Sequence, residues 1–242
     1  MHAMEENRMD EKKELRLVVV YSTLLTALPW IVHTINVVFS LHLKRYGLHP
    51  MEVRGLFGVM TMPFLHADWE HLISNTPALF ALLGGLFLFY KQGAWRIVGY
   101  LYVISGLLTW LMGRSSTHIG ASGLVYALAA FHFVSGVIKK ERRQRAFALL
   151  VAFLYGGFVW AFFPTLYMGT STSWEGHLSG LLTGILFAFY YRREGPQFQE
   201  AFPEEEALAG EESFNDGESF NKEDSFNDGE SFADGESSGT NE

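Results

Sequence analysis

Long apolar segments alternate with short polar connections over most of this 242-residue chain. A run of about 20 apolar residues is long enough to cross the hydrocarbon layer of a membrane, and a helix satisfies its own backbone hydrogen bonds there. The pattern therefore predicts an all-α, polytopic membrane protein, a bundle of six transmembrane helices. The predicted spans cover residues 17–41, 71–90, 95–113, 120–138, 146–163 and 174–191.

The two ends of the chain are polar and differ from its apolar middle. We divide the sequence into an N-terminal segment (1–16), a membrane domain (17–193) and an acidic tail (194–242). Within the tail a hexad recurs, mostly as Ser-Phe-Asn-Asp-Gly-Glu. Such acidic, Gly-rich sequence cannot bury enough apolar surface to fold, so we predict a disordered, solubilising tail. A docking motif for an unidentified partner is the alternative interpretation of the repeat.

Lysine and arginine are distributed unequally between the connections, which predicts orientation. Thirteen lie in the set that includes both ends of the membrane domain, and four lie in the other set. We therefore expect both termini in the cytoplasm, with the protein in the cell (inner) membrane. The net charge of −8 arises from the tail, which has 16 acids and one lysine, and we expect no nucleic-acid partner. The absence of cysteine excludes disulfides and thiolate metal sites.

Three of the six predicted spans begin with polar residues. These are His71 and Asn75 in the second span, Ser122 in the fourth and His177 in the sixth. Alternate spans run in the same direction, so the three clusters lie near one membrane face, which the charge distribution makes the outer face. A serine, histidines and an amide are the groups that a nucleophile, a base and oxyanion donors require.

Ser122 and His177 are the candidates for nucleophile and base. Ser122 is flanked by Gly120 and Gly123 at the start of a helix, where a substrate backbone can approach and unpaired N–H groups face an oxyanion. His177 lies within a span, where a histidine is costly without a partner. Taken alone, the Ser122 motif is better explained as a small-residue packing face, and His177 is explained equally well as an interfacial histidine.

His71 and Asn75 share one helix face because they are four residues apart. Both donate hydrogen bonds without needing a charge, which suits oxyanion stabilisation, although an inter-helix polar clamp is the simpler explanation of the pair alone. Tyr126 follows Ser122 by one helical turn, so it can pack on the His177 ring. No acid shares a helix face with His177, which favours a catalytic dyad over a triad.

Gly180 and Gly184 form a Gly-xxx-Gly motif on the His177 helix. This spacing lets two helices approach closely, and the small residues Gly120 and Gly123 make the Ser122 helix the expected partner.

In these motifs the chain resembles the rhomboid family of intramembrane serine proteases. The resemblance covers residues 42–191 and rests on the order of three motifs along six spans: His71-xxx-Asn75, Gly120-Ala-Ser122-Gly123 and Gly176-His177-xx-Gly180-xxx-Gly184. One departure is visible, since Val53 precedes Arg54 in the first loop, where many members carry tryptophan.

The resemblance implies a role for each motif residue. Ser122 would be the nucleophile and His177 the base, and Tyr126 would stack on that base. The oxyanion hole would consist of His71, Asn75 and the backbone N–H of Ser122. The reaction implied is hydrolysis of peptide bonds near the outer edge of transmembrane helices, through an acyl-enzyme and without metal or cofactor. Its partners would be single-span or multi-span membrane proteins in the lipid bilayer.

Three other functions are compatible with parts of the pattern. A catalytically inactive rhomboid-like protein, acting as a chaperone or dislocation factor, is the main alternative. A metalloprotease would use His66, His71 and His177, but no His-Glu-x-x-His motif is present. A transporter is disfavoured because the polar clusters all lie at one face.

Overall fold

The computed structural model describes residues 2–154 and 173–196. In these ranges the chain forms seven α-helices joined by turns, and the strand-like pairing is limited to an isolated bridge between Leu48 and His118. The helices are α1 (His2–Val38), α2 (Phe57–Thr61), α3 (Trp69–Tyr90), α4 (Ala94–Met112), α5 (Ser122–Ile138), α6 (Arg142–Leu154) and α7 (Trp174–Tyr190).

Helices α3, α4, α5 and α7 agree with four predicted spans to within two residues at each end. Helix α1 begins well before its predicted span, because the polar residues of the N-terminal segment continue the same helix. Helix α6 begins at Arg142, and the later part of the span predicted at 146–163 lies outside the described residues. The same holds for most of the acidic tail and for its predicted disorder.

Two helical stretches of the described residues are long and apolar enough to cross a membrane: Glu11–Val38 and Trp69–Met112. The second contains α3 and α4, joined by the 3₁₀ turn Lys91–Gly93. Helix α5 is equally apolar in character but has 17 residues. The all-helical class is thus confirmed, whereas the count of six spans stays a prediction.

Helix α5 lies at the centre of the bundle and contacts α3, α4, α6 and α7. Its side chains Val125, Leu128 and Phe131 are fully buried and pack with Leu82 and Leu86 of α3. Burying side chains of this size contributes about 1.5–3 kcal/mol each in water, and in a bilayer their close packing replaces that driving force. The helix that begins with Ser122 is therefore packed against four other helices.

A polar cluster joins several helices at the end of α5 remote from Ser122. Lys139, 5 % exposed, donates hydrogen bonds to the hydroxyl of Tyr90, at 2.7 Å, and to the carbonyl of Glu194. The same hydroxyl accepts a hydrogen bond from the buried Gln144 at 3.1 Å. The cluster therefore ties the end of α5 to the end of α3, the start of α6 and the segment that follows α7.

Candidate active site

Ser122 is the first residue of α5, directly after a sharp turn at Gly120. Gly120 has φ +109°, a conformation that L side chains rarely adopt, and its N–H bonds the carbonyl of Met62 at 2.9 Å. No side chain caps the start of α5. The first N–H groups of this helix, beginning with that of Ser122, therefore point toward the site with the positive end of the helix dipole.

His177 lies in the first turn of α7, whose start is capped by Ser173. The Ser173 hydroxyl accepts a hydrogen bond from the N–H of Gly176 at 3.2 Å, and the Ser173 carbonyl accepts one from the N–H of His177 at 3.3 Å. A serine cap satisfies donors that the helix itself leaves unpaired, so the backbone carrying His177 begins at a defined point.

Glycines bring α5 and α7 into backbone contact. A Cβ atom added to Gly180 would lie 2.1 Å from the carbonyl oxygen of Gly123, and one added to Gly184 would lie 2.2 Å from that of Ala127. Gly123 in turn faces the carbonyl of Gly176. Because no side chain separates the two helices at these points, backbone atoms set the distance between them.

The close contact places the candidate base beside the candidate nucleophile. Nε2 of His177 lies 3.0 Å from Oγ of Ser122, which is hydrogen-bonding distance. The Tyr126 ring stacks on the imidazole with centroids 4.2 Å apart and an interplanar angle of 18°. His177 is 6 % exposed, whereas Ser122 is partly accessible. The arrangement can transfer a proton from the hydroxyl to the ring while the stacked tyrosine restricts the ring's rotation.

Glu175, two residues before His177, pairs with an arginine of the connection between two other helices. Its buried carboxylate forms an ion pair with Arg114, with Oε1 3.5 Å from Nε. The carboxylate is therefore directed to the connection between α4 and α5. The choice between a catalytic dyad and a triad therefore stays a prediction.

His71 of α3 reaches the turn before α5, and Asn75 of the same helix contacts the segment before α3. The His71 ring packs on Gly120, where an added Cβ would lie 2.6 Å from the ring carbon Cε1. Asn75 is 5 % exposed, and its Nδ2 lies 3.3 Å from Nε2 of His66. Burial, and to a smaller extent the nearby His71, lowers the pKa of His66 to about 4. Neutral His66 can therefore accept a hydrogen bond from the Asn75 amide and hold that amide in place.

Sequence reasoning assigned no part of the site to His118, but this residue braces it. Nδ1 of His118 lies 2.5 Å from the Ser173 hydroxyl, and Nε2 lies 3.1 Å from the carbonyl of Arg114. Burial lowers the pKa of His118, so the ring is neutral, donates from Nε2 and accepts from Ser173. The serine at the start of an apolar run is a cap signal, but nothing in the sequence pairs it with His118.

The first loop is attached to the bundle without the tryptophan that many rhomboid proteins carry at this point. Val53, which occupies the position, is 82 % exposed. The loop is held instead by Trp110 of α4, whose indole N–H donates to the carbonyl of Glu52 at 2.8 Å and whose carbonyl accepts from Met51 at 3.0 Å. The bridge between Leu48 and His118 adds two further backbone hydrogen bonds.

The three histidines considered for a metal site have different surroundings. The rings of His66 and His71 meet edge to face at 5.0 Å, while His177 faces Ser122. In the part of the chain that the structure describes, no three histidine, aspartate or glutamate side chains converge in a way that could hold a metal ion.

Comparison with known proteins adds an independent line of information. A model of the rhomboid domain matches residues 53–194, which is more than half of the chain. An uncharacterized protein of Mycobacterium tuberculosis is 37% identical over 188 residues, covering 73% of this chain and 77% of the relative. An uncharacterized protein of Mycobacterium leprae is 32% identical over 193 residues, covering 74% of each chain. The chain belongs to the rhomboid family of integral membrane proteins.

Proposed function

We propose that this protein is an intramembrane serine endopeptidase that uses Ser122 and His177 as a catalytic dyad. The observation that carries the proposal is the 3.0 Å contact between Nε2 of His177 and Oγ of Ser122, with Tyr126 stacked on the imidazole. A serine that only allows helices to pack closely needs no buried histidine at this distance. A histidine that only lies at the membrane interface needs no aromatic ring stacked on it. The arrangement is the one that a base-activated nucleophile requires.

The reaction begins when a substrate carbonyl carbon is brought next to the Ser122 hydroxyl. His177 accepts the hydroxyl proton at Nε2 as Oγ attacks, and the negative charge forms on the carbonyl oxygen. The N–H of Ser122 at the start of α5, with Asn75 and His71 on the facing side of α3, stabilises that charge. His177 then returns the proton to the leaving amine, and water hydrolyses the acyl-enzyme by the same steps in reverse.

The substrates we propose are membrane proteins with one or more transmembrane helices. Helix α5 has 17 residues and rises about 25 Å, which is less than the thickness of the hydrocarbon layer, about 30 Å. A site at the start of so short a helix lies below the membrane surface, within reach of a substrate's transmembrane segment. The segment must unwind locally, because an intact helix hides its carbonyl groups in hydrogen bonds.

The orientation follows from the sequence rather than from the fold. We propose that both termini are cytoplasmic and that the site opens toward the outer face of the inner membrane. The charge difference of thirteen against four basic residues supports this topology.

Purified protein in proteoliposomes, supplied with a model single-span substrate, tests the proposal. Ser122→Ala and His177→Ala should each abolish cleavage, and a fluorophosphonate probe should label the unmodified protein at Ser122. Ser179→Ala is a matched control, because this buried hydroxyl bonds the Glu175 carbonyl within α7 and takes no part in the reaction. Cleavage that persists without the Ser122 hydroxyl contradicts the mechanism, and a protein that is neither active nor labelled favours an inactive rhomboid-like chaperone.

A further inference from the structure

A small cavity lies where the outer part of α1 meets the first loop and the segment before α3. His33 and Asn36 of α1 line it, together with His66. Val32 of α1 also lines it, and the remaining lining residues come from the loop: Leu43, Lys44, Phe64 and Leu65. The space open to the centre of a water molecule in this cavity is about 10 Å³. That is room for one water and too little for a lipid phosphate.

Two buried histidines face this cavity with unsatisfied ring nitrogens. His33 is 3 % exposed and His66 is 2 % exposed. Both nitrogens of His33 and Nδ1 of His66 find no hydrogen-bond partner among the described residues. The Phe64 carbonyl is close enough to raise the pKa of His66 but does not complete a hydrogen bond to Nδ1. Buried polar atoms are almost always paired, and a polar cavity of this size pairs them through water.

Neighbouring contacts hold His33 at the cavity. Its ring packs edge to face on Trp69 at 4.5 Å. One turn earlier, the indole N–H of Trp30 donates to the Thr76 hydroxyl at 2.9 Å, which joins α1 to α3 beside Asn75. The side-chain oxygen of Asn36 accepts a hydrogen bond from the N–H of Leu43 and shapes the chain at the cavity wall.

The tautomer of His66 links the cavity to the candidate active site. The amide nitrogen of Asn75 can only donate, so Nε2 of His66 must present its lone pair. In a neutral imidazole the proton then lies on Nδ1, the nitrogen that faces the cavity. Nδ1–H needs an acceptor there, and the nitrogens of His33 need partners as well.

We propose that the cavity binds one ordered water molecule, which accepts the Nδ1–H of His66, bonds His33 and thereby holds His66 in the tautomer that positions Asn75. His33 is then a positioning residue, acting on the oxyanion donor through water and His66. The consequence for catalysis rests on the proposed proteolytic function. The water site and the His66 tautomer do not.

Solid-state NMR of protein labelled with ¹⁵N-histidine in lipid bilayers tests the water site directly. Imidazole nitrogen shifts distinguish protonated from unprotonated positions, and the loss of signals in His66→Gln assigns the ring. We expect the proton on Nδ1 of His66, in contact with water, both in the unmodified protein and in Ser122→Ala. A proton on Nε2, or the absence of a water contact at Nδ1, overturns the proposal whether or not the protein is a protease.

Two substitutions of His33 test the consequence for catalysis. His33→Phe keeps a ring against Trp69 and removes both nitrogens, whereas His33→Gln keeps polar atoms that can bond the water. With folding checked by thermal unfolding, we expect His33→Phe to lower kcat about tenfold at unchanged KM and to deplete the Nδ1–H tautomer of His66. His33→Gln should restore both readouts. A fall in kcat with an unchanged His66 tautomer overturns the proposed link.

Discussion

Replacing Gly180 by alanine should disable the site without touching either member of the dyad. The added Cβ atom would lie 2.1 Å from the carbonyl oxygen of Gly123 and 3.1 Å from the N atom of Ala127. Both neighbours are backbone atoms in α5, so no side chain can rotate away to make room. Helices α5 and α7 must therefore separate.

The size of the effect follows from the required displacement. A carbon atom and a carbonyl oxygen approach to about 3.3 Å at closest, so the helices must move apart by about 1 Å. His177 is three residues from Gly180 and moves with α7, which lengthens its 3.0 Å contact with Ser122 beyond hydrogen-bonding distance. A misplacement of about 1 Å costs about 100-fold in rate, and overpacking costs about 1–3 kcal/mol of stability.

Gly99→Ala is the matched control for this substitution. Gly99 lies in the interior of α4, and a Cβ there meets no atom within 4 Å. Alanine should therefore leave activity unchanged and raise helix stability by up to about 1 kcal/mol. Substrate cleavage, fluorophosphonate labelling and thermal unfolding should be measured for both variants. If Gly180→Ala cleaves and labels as fast as Gly99→Ala, backbone contact between α5 and α7 does not set the dyad geometry.

Three further predictions concern single side chains. Tyr126→Leu should lower kcat about 3- to 10-fold at unchanged KM, because it removes an aromatic contact with His177 of about 0.5–1.5 kcal/mol; unchanged cleavage kinetics would count against an orienting role. Glu175→Gln should lower the free energy of unfolding by about 1–2 kcal/mol, which is less than for a fully buried ion pair because Arg114 is 40% exposed. The substitution should leave the pH profile of cleavage unaltered. A shifted profile would show instead that Glu175 orients the base. Burial lowers the pKa of Lys139 from 10.5 to about 8, so the unfolded chain binds this proton more tightly than the folded chain does. The free energy of unfolding should therefore rise as the pH increases between these two values. Thermal unfolding of Lys139→Met should show a smaller rise, and equal pH dependence in both proteins would contradict the assignment.

Motif order was sufficient to predict the family, and hydropathy was sufficient to predict the helices on which the candidate site depends. Each of these helices is apolar over nearly its whole length, so the ends of α3, α4, α5 and α7 can be estimated from hydropathy to within two residues. Common direction then brings Ser122 and His177 to the same end of the bundle. Helix α1 shows the limit of this reasoning, because a polar segment next to an apolar run can continue the same helix.

Contacts made by loops could not be predicted in this way. The pairing of His66 with Asn75 depends on the path of the chain before α3, and the pairing of His118 with Ser173 depends on two connections that are 55 residues apart in sequence. Periodicity carries no information about such paths, because loop conformation is determined by a few specific hydrogen bonds. For the same reason the attachment of the first loop through Trp110 could not be inferred from the presence of Val53.

The helices that carry the proposed dyad are held at both of their ends, which bears on how a substrate can enter. Near the site, the hydrogen bond between His118 and Ser173 ties the start of α7 to the connection before α5. At the opposite end, Lys139 joins the end of α5 to Glu194, just after α7. Between these points the helices touch through backbone atoms, so separating them would break contacts along their whole length. Admission of a substrate by opening α5 from α7 would therefore destroy the proposed dyad, and we expect the entry path to lie outside this helix pair.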